Sequence, residues 1–358
     1  MKQSRHVAIG LSAVIVAADE EEIYCLAAPH DPSHSPTNWA LPFGLFEPEQ
    51  HRTFERGLRD WVASQTGFEL GFVEQLYTFG DEGRESPLAN MGDDSTAHPS
   101  RDRIISIGYL ALTPERKPLS DRDAAWRPWY AHFPWEDWRQ GAPKGLHSFI
   151  LPALCQWADT PPELADEDGA PQPVATSEQR HHRIRAAFGV DGRPWIEERA
   201  LERYELLYEA GLVTEAWRDR QKAEPDPSYE PRAAPPSNPD NGLGLPMHSD
   251  HRRILATAMG RLRAKIKYRP VIFEMIPDRF TLSQLQKVVE ALAGLNVHKQ
   301  NFRRLLERSE LVTGTGQTEQ RTGGRPAELF RFRRESLTER QIFGLHVPIA
   351  RKSSQNQG

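Results

Sequence analysis

The chain has 358 residues, of which 38% are hydrophobic and 27% charged, and its formal net charge is −5. A chain of this length usually folds as two or three domains, and two cysteines are too few for a disulfide framework or a zinc site. No stretch approaches the roughly 18 apolar residues of a membrane span, and the low cysteine content is typical of the cytoplasm.

The first third of the chain predicts an α+β arrangement. Residues 7–27 contain two apolar runs separated by an acidic turn, which indicates strand, turn and strand. Apolar residues follow at helical spacing over Thr53–Gln65, and Gly67 is placed to end that helix. Phe72–Phe79 and Ile104–Leu112 are strand-like and are joined by a polar loop.

The middle of the chain alternates between aromatic, helical and proline-rich segments. Trp126–Trp138 holds six aromatic residues, which could stack a nucleobase but more commonly pack over a sheet edge. Residues 161–175 predict a loop, and Trp195–Trp217 predicts an amphipathic helix pair broken near Gly211. Lys222–Pro246 carries seven prolines and predicts a flexible linker or a crossover loop.

Helices resume after the linker. Asp250–Lys267 predicts a helix with one apolar face and with arginines and lysines on the other. Thr281 and Gln284 form a capping box for a second helix that Gly294 ends, and Asn296 is placed to cap a third. Two helices joined by a short glycine-containing turn are the outline of a helix-turn-helix.

A β-hairpin follows the third helix and completes the pattern of a winged helix. The sequence LVTGTGQTEQRTGGRPAELFRFRRE predicts two strands and a glycine-rich tip between them. Long polar side chains on the recognition helix and the wing could read bases or hold phosphates. The residues predicted to contact DNA are Lys299, Gln300, Asn301, Arg303, Arg304 and Arg308 on the helix and Arg321 and Arg325 on the wing. A solvated basic helix that binds protein is the alternative.

Charge is divided unevenly along the chain. From His248 to the end there are 21 Lys+Arg and 10 Asp+Glu, a net charge of +11, and the remainder carries a net charge of −16. Such an asymmetry predicts that the basic part meets a polyanion.

The stretch LPFGLFEPEQHRTFERGLRDWVASQTGF, residues 41–68, has the frame of a Nudix box without its metal ligands. Counted from Gly44, Gln50 stands where the first glutamate belongs. Counted back from Gly67, Ser64 and Gln65 stand where the glutamate pair belongs, and two extra residues separate the glycines. Because Nudix hydrolysis needs a metal held by helix glutamates, the sequence predicts no catalysis and no metal site. The cleft either binds a nucleotide diphosphate without cutting it or is an empty scaffold.

The chain resembles the Nudix-related transcriptional regulators of NAD metabolism, of the NrtR/NadQ type. The resemblance rests on LPFGLF (41–46), EQLYTFGD (74–81), SRDRIISIGYLAL (100–112), HRRILATAMGRLRAKIKYRPVIFEMIPDRFTLSQLQKVVEAL (251–292), NFRRLLERSELV (301–312) and GGRPAELFRFR (323–333). Thr113 to Met247 departs from the family pattern as a large insertion.

The resemblance implies a Nudix-like α/β/α sandwich with a helical insertion and a C-terminal winged helix. It also implies a dimeric repressor that binds double-stranded DNA at palindromic operators ahead of NAD biosynthesis or salvage genes. NAD, ADP-ribose or ATP would be the effector, with no cofactor required. The family positions correspond here to Lys299, Asn301, Arg303 and Arg304 on the recognition helix and to Arg325 on the wing.

These observations divide the chain into an effector-sensing domain (1–140), an insertion (141–247) and a linking helix with the winged helix (248–358). A nucleotide diphosphate needs cations for its phosphates and an aromatic face for its base. The candidates for these roles are Trp39, Phe43, Arg52, Arg56, Arg84, Arg101 and Arg103. Two other functions are alternatives: a divergent Nudix hydrolase acting on a nucleoside diphosphate derivative, and an adaptor whose winged helix binds protein.

Overall fold

The computed structural model describes residues 7–29, 39–81, 84, 103–116, 124–160, 175–223, 241–267, 269–319 and 326–333. A mixed sheet has the strand order β3-β2-β1-β6-β5, with β4 added to β1 and β7 added to β2. β1 runs parallel to β6, and the other pairs are antiparallel. The strands are β1 (Val7–Ala18), β2 (Ile23–Pro29), β3 (Trp39–Ala40), β4 (Phe43–Leu45), β5 (Val73–Phe79), β6 (Arg103–Thr113) and β7 (Ala125–Pro128).

The helix α1 (Phe54–Thr66) covers one face of this sheet and confirms the predicted helix and its ends. Thr53 caps its first turn by accepting a hydrogen bond from the Arg56 amide, and Gly67 ends it in the left-handed region at φ 69°. Leu58 and Val62 of α1 belong to the apolar cluster on this face of the sheet. Alternation along β1 then sends every second side chain to the opposite face.

The opposite face of the sheet carries the remaining helices. They are α2 (Leu151–Asp159), α3 (Ser177–Phe188), α4 (Ala200–Glu209), α5 (Thr214–Ala223) and α6 (His251–Lys265), with short helical turns at Trp129–Ala131, Pro134–Glu136, Leu146–Ile150 and Glu197–Arg199. A Cβ on Gly108 of β6 would lie 3.0 Å from the Ile254 side chain, so glycine lets α6 approach the sheet closely. Helices on both faces of a mixed sheet form the expected α/β/α sandwich.

The insertion helices share one apolar core with the sheet and with α6. Val14 and Leu110 of the sheet, Leu154 of α2, Leu207 of α4 and Leu255 of α6 all belong to that cluster. The domain boundaries at 140 and 247 stay predictions. The segments on either side of them are packed together.

The aromatic segment is buried structure and does not form a base-stacking surface. Trp129, Phe133 and Trp135 are 0% exposed. The Phe133 and Trp135 rings meet edge to face, with centroids 5.7 Å apart. The more common use of such a segment, packing, is therefore the one found here.

The prediction that the arginines and lysines of α6 lie on a face apart from its buried apolar residues is wrong. Arg252 and Arg263 are buried along with the apolar residues of this helix, and Lys265 is buried as well. Each pairs with a carboxylate from an earlier part of the chain: Glu215, Glu136 and Glu74, respectively. These buried cations are tolerated because carboxylates and carbonyls accept their hydrogen bonds.

The C-terminal segment forms the predicted winged helix. It contains a helical turn at Val271–Glu274, α7 (Leu282–Ala293), α8 (Lys299–Ser309), β8 (Val312–Glu319) and β9 (Ala327–Phe332). Phe280 and Phe330 exchange backbone hydrogen bonds of 3.0 and 2.8 Å, which ties the hairpin to the segment before α7. Within the described ranges, none of the helices is long and apolar enough to cross a bilayer.

Candidate nucleic-acid and effector sites

Local sequence fixes both ends of α7. Thr281 accepts from the Gln284 amide, and the Gln284 side chain accepts from the Thr281 amide, so the predicted capping box is confirmed. Gly294 ends the helix at φ 70°. The predicted cap at Asn296 is wrong because His298 occupies the N-cap of α8, and the Asn296 amide donates to the Arg139 carbonyl at 2.7 Å.

A carboxylate holds the turn between α7 and α8. Glu290 Oε1 accepts from the Val297 amide at 2.8 Å and from the Gln286 side chain at 3.0 Å. Phe302 and Leu306, on the inner face of α8, are 0% and 1% exposed. The orientation of α8 is thus set by burial on one side and by the turn at its start.

The outer face of α8 presents the predicted recognition residues to solvent. The exposed residues are Lys299, Gln300, Asn301, Arg303, Arg304 and Arg308. Within the described part of the chain, none of the four cations among them has an ion-pair partner. Lys299 and Arg303 are four residues apart, as are Arg304 and Arg308, so each pair lies on one side of the helix. Unpaired, solvated cations on one face can contact phosphates without first breaking internal bonds.

The wing places further cations beside the helix-turn-helix. Arg279 donates to the Gln317 side chain of β8 at 2.7 Å. Arg331 and Arg333 are exposed at the end of the hairpin. The predicted contacts Arg321 and Arg325 lie outside the described residues.

Two of the α1 positions where the sequence comparison expects a Nudix glutamate, Trp61 and Gln65, bind the neighbouring strand β4. The Gln65 amide accepts from the Phe43 amide at 3.1 Å and donates to the Phe43 carbonyl at 2.5 Å. The Trp61 indole donates to the Leu45 carbonyl at 2.8 Å. A Cβ on Gly44 would lie 2.2 Å from the Trp61 ring, so the box glycine makes room for a tryptophan. Among the described residues, no group of three or more His, Cys, Asp or Glu could hold a metal ion.

Two of the predicted effector residues, Trp39 and Phe43, lie where the sheet meets the start of α6. The Trp39 carbonyl accepts from the His248 amide at 2.8 Å. The Phe43 ring lies 5.9 Å from the His248 ring and 4.8 Å from the His251 ring, centroid to centroid. Both predicted side chains are half-buried, and His248 contacts the backbone of Trp39 and the ring of Phe43.

The arginines that were predicted to bind the effector differ from one another in burial and in pairing. Arg84 is buried and binds Glu205 at 3.0 Å and Asp250 at 3.4 Å, so its charge is already neutralised and it is not available for a phosphate. Arg56 is exposed and pairs with Asp60 on its own helix, and Arg52 is exposed. Arg101 lies outside the described residues, and so does the side chain of Arg103.

Burial raises the pKa of Asp250 to about 7, although Arg84 and Arg253 act in the opposite direction. Glu205 and Asp81 compete for the same two guanidiniums. Three carboxylates share two arginines here, so neither guanidinium neutralises Asp250 alone.

Sequence reasoning missed one cation that does lie beside Trp39. The Arg127 guanidinium lies 4.7 Å from the centre of the Trp39 ring. The only signal for Arg127 was its place in the aromatic segment, and nothing local connects that segment with Trp39, 88 positions earlier in the chain.

A family model matches part of the C-terminal segment. Residues 272–332 match the model of the NrtR DNA-binding winged helix domain. A curated relative, the ADPR responsive transcriptional repressor NtrR of Acinetobacter baylyi, is 37% identical over 93 residues. That match covers 26% of this chain and 37% of the relative's length.

Crystal structures of Shewanella oneidensis NrtR, alone and complexed with a 27mer DNA, are each 17% identical to this chain. The first covers 94% of this chain and 97% of its own, with a TM-score of 0.49. The second covers 92% and 94%, with a TM-score of 0.48. The matched family range begins in the helical turn before α7 and ends with β9, so residues 272–332 belong to the NrtR DNA-binding winged helix domains.

Proposed function

We propose that the chain is a cytoplasmic, DNA-binding transcriptional repressor of NAD biosynthesis or salvage genes. In this proposal its Nudix-like domain binds a nucleotide without hydrolysing it. The observation that carries the proposal is the exposed, unpaired face of α8 within a segment that belongs to the NrtR winged helix domains. The repressor activity of the Acinetobacter baylyi relative supports it.

DNA binding is tested by titrating labelled operator DNA with the protein at several salt concentrations. Affinity should fall steeply with salt, because each phosphate contact releases counterions. Arg303→Ala or Arg304→Ala should cost about 1–3 kcal/mol of binding free energy if either makes a bidentate base contact. Lys299→Ala should weaken all sequences alike.

A matched control is Arg183→Ala. Arg183 lies on α3 and pairs with Glu209 at 2.5 Å, so removing it should leave DNA affinity unchanged. Wild-type affinity in both α8 arginine variants would remove the recognition-helix assignment. Binding that is indifferent to salt would favour the adaptor alternative.

For the operator itself, we propose a palindrome bound by a homodimer. Two-fold symmetry of the protein is matched by two-fold symmetry of the site in helix-turn-helix dimers. Sedimentation of the free protein and of its complex gives the stoichiometry. The genes beside the coding sequence, with any palindrome ahead of them, identify the regulated pathway.

The effector is proposed to be ADP-ribose, NAD or ATP, bound near Trp39 and Phe43, with Arg52 and Arg56 as candidate cations. ADP-ribose comes first because the curated relative is described as ADPR responsive. Calorimetry measures binding, and operator titration with and without the nucleotide measures coupling, for which about 1–3 kcal/mol is typical. No heat and no change in operator affinity with any of the three would exclude sensing.

The hydrolase alternative has a direct test. The purified protein is incubated with ADP-ribose or NAD in the presence of Mg²⁺ or Mn²⁺, and products are separated by chromatography. We expect no turnover, since Ser64 and Gln65 replace the glutamate pair. Turnover on the order of 1 s⁻¹, within the ordinary range of enzymes, would contradict the proposal.

A further inference from the structure

Arg127 differs from the other arginines of the core in having no carboxylate partner. It is half-buried on β7, and its Nε is buried with no hydrogen-bond partner. Within the described ranges it forms no ion pair, whereas Arg84, Arg203, Arg252 and Arg263 each bind a carboxylate. A guanidinium partly removed from water and left without an anion is less favourable than a paired one, so this arrangement leaves room for an anionic partner.

The surroundings of Arg127 are suited to an anion that carries an aromatic group. Its guanidinium lies over the half-buried Trp39 ring, which provides a flat apolar surface at the edge of the sheet. Nearby His132 is held neutral: burial, and then the positive charges of Arg252 and Arg127, lower its pKa to about 4. The neutral His132 ring therefore adds no positive charge of its own beside Arg127.

The residues that follow Arg127 in the chain contact the helix-turn-helix. Tyr130 donates its hydroxyl to the Ala291 carbonyl at 2.6 Å, in the last turn of α7. The Trp138 amide donates to the Gly294 carbonyl at 2.8 Å. Residues 125–139, here called the connecting segment, thus have one end beside Trp39 and the other end on the turn that precedes α8.

The contacts at that turn are tight enough to transmit a shift. A Cβ on Gly294 would lie 2.3 Å from the Glu136 carbonyl and 2.9 Å from the Tyr130 hydroxyl. Asn296 adds a hydrogen bond to the Arg139 carbonyl at 2.7 Å. Close-packed groups cannot move independently, so displacement of the connecting segment displaces the turn.

We propose that Arg127, stacked on Trp39, is the residue that binds the effector's phosphates, and that the connecting segment carries the effect of binding to α8. This inference rests on the proposed sensing function and names the residue and the path by which it acts. The ligand class is a nucleoside diphosphate, whose phosphates supply the anion that Arg127 lacks.

The binding half is tested with Arg127→Met, which keeps the length and apolar stem of the side chain and removes the charge. Calorimetry with ADP-ribose should show roughly 10- to 100-fold weaker binding, the loss typical of one or two charge-assisted hydrogen bonds. The melting temperature of the ligand-free variant should equal or exceed that of wild type, because a half-buried charge without a carboxylate partner has been removed. If Arg127 instead stabilised the fold, the ligand-free variant would melt at a lower temperature than wild type.

Arg116→Met is the matched control. Arg116 also stacks on a ring, Tyr24 at 3.9 Å, but it already pairs with Asp19 at 2.6 Å. Its loss should leave ADP-ribose affinity within about twofold of wild type, a change worth only a few tenths of a kcal/mol. Unchanged affinity in Arg127→Met, or equal weakening in both variants, would overturn the assignment of Arg127.

The transmission half is tested with Tyr130→Phe and, separately, Asn296→Ala. Each removes one hydrogen bond between the connecting segment and the turn. ADP-ribose should bind either variant as it binds wild type, while the ratio of operator affinities with and without ADP-ribose should move towards one. An unchanged ratio in both variants would overturn the path.

Failure of the inference can be told from failure of the proposed function. If wild type binds ADP-ribose and responds to it but Arg127→Met does so equally, the sensing function stands and this residue assignment falls. If wild type neither binds nor responds to ADP-ribose, NAD or ATP, both fall together.

Discussion

Glu136→Gln should be among the most damaging single substitutions in the chain. Glu136, Arg203 and Arg263 all have side chains that are 0% exposed, and each arginine lies 2.5 Å from the carboxylate. Burial alone would raise the pKa of Glu136, but the two guanidiniums outweigh it and hold that pKa below its usual range. The substitution leaves two buried cations facing a neutral amide, and removing one partner of a buried pair typically costs about 3–5 kcal/mol.

Chemical denaturation of the full chain, followed by tryptophan fluorescence, measures the free energy of unfolding. The control is Glu55→Gln, because Glu55 pairs with Arg59 at 2.7 Å on the exposed surface of α1. An exposed pair four residues apart on a helix contributes about 0.3–0.5 kcal/mol. Equal, small losses in both variants would refute the argument that burial makes the Glu136 network essential.

The same substitution should also loosen the winged helix. Arg263 donates to the Leu292 carbonyl at 3.0 Å, at the end of α7, and to the Tyr130 hydroxyl at 3.2 Å. Hydrogen exchange of α7 amides should therefore accelerate more than exchange in α1, on the far face of the sheet. Uniform acceleration across the protein would mean that the network stabilises the fold without positioning α7.

Two further predictions concern stability. The pKa of Asp250 is raised from 3.8 to about 7 in the folded state, so folding takes up a proton between these two pH values. The stabilisation from this proton is complete below pH 4 and is lost as the pH rises through 7. Asp250→Asn should remove this loss, at most about 4 kcal/mol at about 1.4 kcal/mol per unit of pKa, as measured by unfolding at pH 5 and pH 8. Gly44→Ala should destabilise by about 1–3 kcal/mol through overpacking, since its Cβ would lie 2.2 Å from Trp61, and a neutral effect on melting temperature would show that Trp61 can move.

Local signals predicted most of the elements. Two apolar runs separated by an acidic turn predicted β1 and β2, and helical spacing predicted α1 with its ending glycine. The capping box at Thr281 and the glycine at 294 predicted α7, and the glycine-rich tip between two short runs predicted the strands of the wing. In each case the determining residues lie within one or two turns of the element they specify.

Features set by long-range contacts could not be predicted. The burial of Arg263 depends on Glu136, 127 positions away, and local periodicity assigned Arg263 to a solvent face. Asn296 has the chemistry of a cap but finds the Arg139 carbonyl, 157 positions away. Sequence analysis named Trp39 and missed Arg127, because only the folded sheet places Arg127 over the Trp39 ring.

The cations of the basic part serve two purposes, internal ion pairs and DNA contacts, and the salt dependence of DNA affinity can distinguish them. Six cations after His248 pair with carboxylates from the acidic part, and these are Arg252, Arg253, Arg263, Lys265, Lys267 and Lys287. Such pairs hold the two halves together and cannot also contact DNA. The six cations predicted on α8 and the wing would give a slope of log affinity against log salt of about −5 per subunit, at about −0.9 for each phosphate contact. A slope near −10, measured by operator titration, would mean about eleven phosphate contacts per subunit, and cations beyond the six predicted ones would then have to contact DNA.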